Sequence, residues 1–234
     1  MRIKTRIFVA ALVAAICSVS CGRVEPDHDG YGFLSLSLDI DTDIEDLTRA
    51  TTVDQPDYPA YNVALYNGET QLWKTTYDRF VSDVAFNRIP AGEYVIEVES
   101  CTPDEAEAGA GKMRMYGSRS VTVVAGRTSD ASVSCTMANA RVTLAMSPEF
   151  ASAIVEGSIG ASVTDGVRKI AISGIDQQHL LERAVYFNVD SPSGTAITFT
   201  VTAGIAETQK LKTFELPVTV KPGVWNKVTL NQKN

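Results

Sequence analysis

Residues 33–41 read FLSLSLDID, so Leu34, Leu36, Leu38 and Ile40 alternate with Ser35, Ser37, Asp39 and Asp41. A period of two with one polar face predicts a strand half-buried in a sheet. Short runs at 61–66, 71–76, 94–100, 116–124, 131–136, 141–146, 168–173, 184–189 and 197–202 predict further strands, with turn pairs such as Asn67-Gly68 and Ala125-Gly126 between them. Residues 148–154 fit a single turn of helix. Residues 41–59 lack any period and carry Pro56 and Pro59, which predicts a long exposed loop. Residues 102–112 (TPDEAEAGAGK) predict a second, acidic one. Many short strands at this spacing point to antiparallel sandwiches more than to barrels.

An internal repeat sets the domain count. Val121-Thr122-Val123-Val124-Ala125-Gly126 reads like Val218-Thr219-Val220-Lys221-Pro222-Gly223, and Ala131 and Val133 match Val228 and Leu230 at the same offset. Two modules ending in the same hairpin explain this most simply. The expected architecture is therefore all-β, two tandem antiparallel β-sandwiches, over residues 31–138 and 139–234.

The first thirty residues follow a different pattern. Arg2, Lys4 and Arg6 precede an apolar run at 7–17 and a small-residue stretch ending at Cys21, the order of a bacterial secretory signal. As a helix that run rises only about 16 Å, roughly half a hydrocarbon core, so residues 1–20 are expected to be cleaved rather than to span. Ser18-Val19-Ser20-Cys21 resembles the lipobox of bacterial lipoproteins and makes Cys21 the expected lipidation site. Cys17 competes less well, because bulky Ile16 precedes it. Residues 21–30, polar and acidic with Pro26, read as a lipidated tether. Several acyl chains would hold the mature chain on a membrane far more firmly than one myristate. Cleavage removes three basic and no acidic residues, taking the formal charge from −7 to −10, which argues against a nucleic-acid partner and against electrostatic docking to anionic lipid.

After Cys21 the mature chain retains Cys101 and Cys135, each at the end of a predicted strand. Export permits a disulfide between them, and a pair of buried thiols is an equally ordinary outcome. There is no C-x-x-C, and no metal or cofactor site is expected. Asp39, Asp41 and Asp43 imitate the opening of a calcium loop, but Ile44 stands at its glycine and Ala50 at its bidentate glutamate. Gly111-Lys112 is no phosphate loop, since Met113 and Ala106 replace required residues. The histidines are His28 in the tether and His179 in DQQHL, so no triad assembles and no catalytic residue is expected. Glu97 and Glu99 alternate with apolar residues as on a solvated sheet face. Trp73, Tyr77 and Trp225 could stack on a sugar ring, but packing is the expected role.

Ile89-Pro90-Ala91-Gly92-Glu93-Tyr94 resembles the P-A-G-x-Y hairpin of transthyretin-like β-sandwiches. With Cys21, the opening GFLSLSLDID, Leu47-Thr48-Arg49-Ala50, Tyr116-Gly117-Ser118, Cys135-x-x-Ala138-Asn139 and the closing Pro222-Gly223-x-Trp225-x-Lys227-Val228, it makes the chain similar to the fimbrillin-like and DUF4493-type lipoproteins of Bacteroidetes. That resemblance implies transthyretin-like sandwiches on an outer-membrane lipid anchor, facing the cell surface, in a structural or adhesive role as a fimbria-associated tip, anchor or accessory subunit. Its implied partners are the membrane, fimbrial subunits joined by strand addition, and a host or glycan ligand. The alternative is a carbohydrate-binding lipoprotein of a glycan-uptake system.

The same resemblance marks Arg49 as a processing site, because polymerising fimbrillins are cut by an arginine-specific protease just after the first strand. Losing Leu34, Leu36, Leu38 and Ile40 would remove roughly 6–12 kcal/mol at about 1.5–3 per buried side chain, comparable with the ~5–15 that holds a domain together. A cut chain would need a replacement strand. Leu230 lies four residues from Asn234, so the expected subunit accepts a strand without donating one. Digestion with an arginine-specific protease should yield intact or nicked monomer on sizing, and a ladder of homopolymers would contradict this.

Overall fold

The computed structural model describes residues 30–41, 58–172 and 184–231. The expected signal, Cys21, Arg49 and both histidines lie outside them. The described chain is built largely of strands and divides into two compact units.

In the first unit the strands are β1 (Tyr31–Ile40), β2 (Asn62–Asn67), β3 (Thr70–Thr76), β4 (Arg88–Pro90), β5 (Gly92–Glu99), β6 (Met115–Val123) and β7 (Thr128–Met137). They run in the order β3-β2-β5-β6-β7-β1-β4. Two blocks carry continuous registers, the antiparallel β3-β2-β5-β6 and the mixed β7-β1-β4. Alternation in β1 does what its sequence dictates: Leu34, Leu36 and Leu38 are buried while Ser35, Ser37 and Asp39 face out. They join Val63, Leu65, Ile96, Val98, Val123 and Val133 in the core.

The β1–β7 pairing is parallel, from Phe33↔Thr128 to Ile40↔Cys135. Side-chain alternation cannot reveal this, because it reports which face is buried and carries no direction. Two short helices, α1 (Tyr77–Ser82) and α2 (Val84–Asn87), follow β3 where no helix was expected. From α1 the buried Tyr77 hydroxyl donates to the Leu36 carbonyl of β1 at 3.1 Å, and Phe80 is buried.

The second unit contains β8 (Ala140–Met146), β9 (Gly160–Thr164), β10 (Lys169–Ile172), β11 (Val185–Phe187), β12 (Thr195–Ile205), β13 (Lys210–Val220) and β14 (Trp225–Leu230). They form a four-stranded sheet, β10-β9-β12-β13, and a three-stranded sheet, β11-β8-β14. Val142, Leu144, Phe187 and Leu230 of the smaller sheet share one core with Val163, Phe199, Val201 and Val220 of the larger. Here too the first strand of the unit lies parallel to the last, β8 on β14, from Trp225↔Arg141 to Leu230↔Met146.

The two units repeat one pairing plan. Phe33↔Thr128, Leu36↔Ala131 and Leu38↔Val133 correspond to Arg141↔Trp225, Leu144↔Val228 and Met146↔Leu230. Tyr94↔Val121 and Ile96↔Arg119 likewise correspond to Ile197↔Val218 and Phe199↔Leu216. The hairpin similarity in the sequence is thus the visible part of a repeat that runs through every strand block.

Segment Thr102–Arg114 belongs to the second unit. Thr102 caps a short helix, α3 (Pro103–Glu107), in a capping box with Glu105, where the sequence reading had a loop. Asn139 holds the segment's far end, its Oδ1 accepting from the Arg114 amide at 3.1 Å and its Nδ2 donating to the Lys112 carbonyl at 2.8 Å. Arg168 donates to the carbonyls of Glu107 and Tyr186, and the Asn188 amide donates to Glu107 Oε1 at 3.0 Å.

Cys101 and Cys135 are both buried in the first unit, and no disulfide joins them. Burial pushes the Cys135 thiol from 9.0 up to about 12, with a smaller contribution from the charge of Asp39. Burial, reinforced by the neighbouring thiols Cys135 and then Cys101, also holds the Tyr61 phenol well above its ordinary value.

This packing can be tested in three ways. A Cβ on Gly117 would overlap the Ser134 carbonyl oxygen, so Gly117→Ala should cost about 1–3 kcal/mol, read as a lower urea midpoint at unchanged slope; an unchanged midpoint would contradict the close approach. The thiols should resist alkylation at pH 8 in the folded, reduced protein and react on unfolding. Because folding raises the Cys135 pKa, its contribution to stability is complete below pH 9 and is lost as pH climbs toward 12, so alkaline titration should lower the midpoint across that window.

Candidate functional site

Among the described residues no group of three or more His, Cys, Asp or Glu side chains is placed to hold a metal. The carboxylates singled out on β5 are engaged across strands. Glu97 Oε1 accepts from the Tyr116 hydroxyl at 3.0 Å, and Glu99 Oε1 meets Lys74 Nζ at 2.7 Å. Asp39 Oδ2 accepts from Ser134 Oγ at 3.1 Å across the β1–β7 pair. These are outward-facing ties, worth at most about 1 kcal/mol for an ion pair of this exposure.

The aromatic candidates are likewise occupied. Trp73 packs at 5.7 Å from Phe80 and edge-on at 5.6 Å from Phe86. Tyr77 is buried and bonded to β1. Trp225 carries two cations, the Arg141 guanidinium 4.2 Å and the Lys227 ammonium 4.3 Å from its ring centroid, while its Nε1 donates to Thr143 Oγ1 at 2.9 Å. Pairing Trp225↔Arg141 and Lys227↔Thr143 puts these four residues on the face of β8 and β14 opposite the core. Arg141 is buried there, with Nε and Nη1 lacking hydrogen-bond partners, so cation–π attraction is its main compensation. Sequence reading missed Arg141 and Arg168, because an isolated arginine, within a strand or just before one, carries no signal of its depth.

Two surface features of the first unit remain. An open depression of about 370 Å³ lies over β5 and β6, lined by Gly68, Glu93, Tyr94, Val95 and Ser120 among others; the Tyr94 hydroxyl is spent on the Pro90 carbonyl at 2.9 Å. At the start of β1, Tyr31, Phe33 and Val124 are large apolar residues left exposed. The Arg88 guanidinium covers Tyr31 at 4.7 Å from the ring centroid. No helix among the described residues is long and apolar enough to cross a membrane.

Comparison with known proteins gives one family and several distant folds. Solved structures similar to this chain include a candidate cell adhesion protein from Parabacteroides distasonis, 12% identical, with TM-score 0.49 over 85% of this chain and 88% of that one. Another from Bacteroides eggerthii is 11% identical, with TM-score 0.42 over 90% and 89%. Candidate polysaccharide-binding proteins (DUF1812) from Bacteroides thetaiotaomicron are 8% identical, with TM-score 0.41 over 77% and 78%. No curated protein matches the chain. The domain of unknown function DUF4493 matches residues 30–234, which takes in every described strand of both units, and the chain therefore belongs to the DUF4493 family.

Proposed function

We propose that this chain is a lipid-anchored protein of the bacterial cell surface, held by Cys21 and serving a structural or adhesive role. The observation that carries the reading is the placement of the family region, residues 30–234, directly behind the lipobox cysteine and the eight residues 22–29. The family region then lies on one side of the anchor, free to meet other molecules. The geometry supports a scaffold more than a catalyst: outward carboxylates are tied to neighbouring strands, and large aromatics are packed or covered by cations. Engagement of Trp73, Tyr77 and Trp225 within the protein weighs against the carbohydrate-binding alternative, since a sugar platform needs an open ring face. A fimbria-associated position remains part of this proposal, with strand addition at Arg49-cleaved protein as its route.

Metabolic labelling with a fatty acid should mark the full-length protein and fail to mark Cys21→Ser, which should leave the membrane fraction unprocessed or soluble. Cells expressing the wild-type chain should adhere to a host or bacterial surface better than cells expressing Cys21→Ser. Equal labelling of both proteins would overturn the anchor, and equal adhesion at equal expression would overturn the adhesive role.

A further inference from the structure

We propose that the start of β1 is a membrane-resting patch, in which Tyr31, Phe33 and Val124, flanked by Arg88 and Arg127, sit in the headgroup region of the bilayer that holds the acylated Cys21. It rests on the anchor reading above and adds a second, protein-borne contact with the lipid surface.

The apolar part is built by backbone geometry. Tyr31 and Phe33 alternate onto the outer face of β1, 41% and 45% exposed, while Leu34 begins the buried face. Between them Gly32 lies so close to the β6–β7 turn that a Cβ would overlap the Val124 carbonyl oxygen. The Phe33 amide donates to the Arg127 carbonyl at 2.8 Å, and the Gly126 amide to the Tyr31 carbonyl at 2.8 Å. These bonds bring the backbone of Val124, whose side chain is exposed, and that of exposed Arg127 alongside residues 31–33. The patch is presented on paired strands, so little ordering is lost when it docks.

Charge along the strand points the same way. Arg88, opposite Phe33 on β4, and Arg127 are the exposed cations here. On the same outer face the first carboxylate, Asp130, stands opposite Ser35, and Asp39 follows near the far end of β1. Aromatic rings with arginines beside them suit the interfacial region, where rings bury their bodies and guanidinium groups meet lipid phosphate. The mature charge of −10 opposes approach of the chain as a whole to anionic lipid, so the patch depends on the anchor for its occupancy and on these two local arginines for its electrostatic fit.

Reach settles the occupant. Cys21 and Tyr31 are ten residues apart, and such a segment spans at most about 35 Å in any conformation. An acyl chain in the bilayer thus keeps Tyr31 near the lipid at a high effective concentration, so a contact too weak to recruit a free protein becomes occupied.

The test uses the mature lipoprotein purified from membranes and reconstituted in phosphatidylethanolamine–phosphatidylglycerol vesicles. An environment-sensitive fluorophore is attached at Phe33→Cys and, separately, at Asp39→Cys, exposed at the far end of the same strand, about 20 Å along it; the native thiols are buried or acylated. Nitroxide lipids labelled near the headgroup should quench the probe at 33 about twofold or more while leaving that at 39 nearly unchanged, as expected for insertion to the acyl boundary. Flotation with the vesicles reads the anchor separately. Protein that fails to float overturns both anchor and patch. Protein that floats with an unquenched probe at 33, or equal quenching at both positions, overturns the patch and leaves the anchor standing.

Discussion

Each unit is closed by the parallel pairing of its first strand with its last, β1 with β7 and β8 with β14. No loop joins these partners directly, so the pairing is long-range and carries the loop-closure entropy that makes such topologies slow to fold. Its register is fixed by burial. Sliding β1 one residue along β7 would put Ser35 and Ser37 into the core in place of Leu34, Leu36 and Leu38. The leucines therefore do more than fill space, since they decide which backbone groups meet those of β7.

Given that closure, the outer faces are free to diverge, and equivalent positions show how far. Phe33 and Arg141 occupy the same place in the repeated pairing plan, opposite Thr128 and Trp225 respectively. One is an exposed ring in the first unit. The other is a buried guanidinium stacked on an indole, with two of its nitrogens unpartnered. A fold held by inward residues places few demands on outward ones, so function in such a protein has to be argued from its surfaces.

The sequence was legible where a single strand states its own environment. Alternation in residues 33–41 located β1 and its buried face to within two residues, and the Val121 and Val218 hairpins announced the repeat. It was silent on direction, because a half-buried strand alternates alike in parallel and antiparallel pairs. It also missed β9 (GASVT), which is short and begins with glycine, and most of β13, whose apolar alternation Lys210, Lys212 and Pro217 interrupt. The helix α3 was foreshadowed by Thr102-Pro103-Asp104-Glu105, a capping-box spelling hidden within an acidic, glycine-bearing stretch. Arg168 was unreadable, because its value lies in carbonyls of α3 and β11 that only the fold brings to it.

Those same discouraging residues explain why the second unit's edge can be long without being adhesive through its backbone. β13 lies at the edge of its sheet, and Pro217 removes one ladder donor while Lys210 and Lys212 charge one end of the strand. In the first unit β4 pairs only with Tyr31, Gly32 and Phe33, which would leave the rest of that edge of β1 open. There the Tyr77 hydroxyl takes the Leu36 carbonyl, and Phe80 packs from the same helix into the core. Two different devices thus blunt two different edges. With backbone pairing discouraged along these two edges, what they offer outward is side chains, and at the start of β1 aromatic and cationic groups are the most exposed combination on that strand.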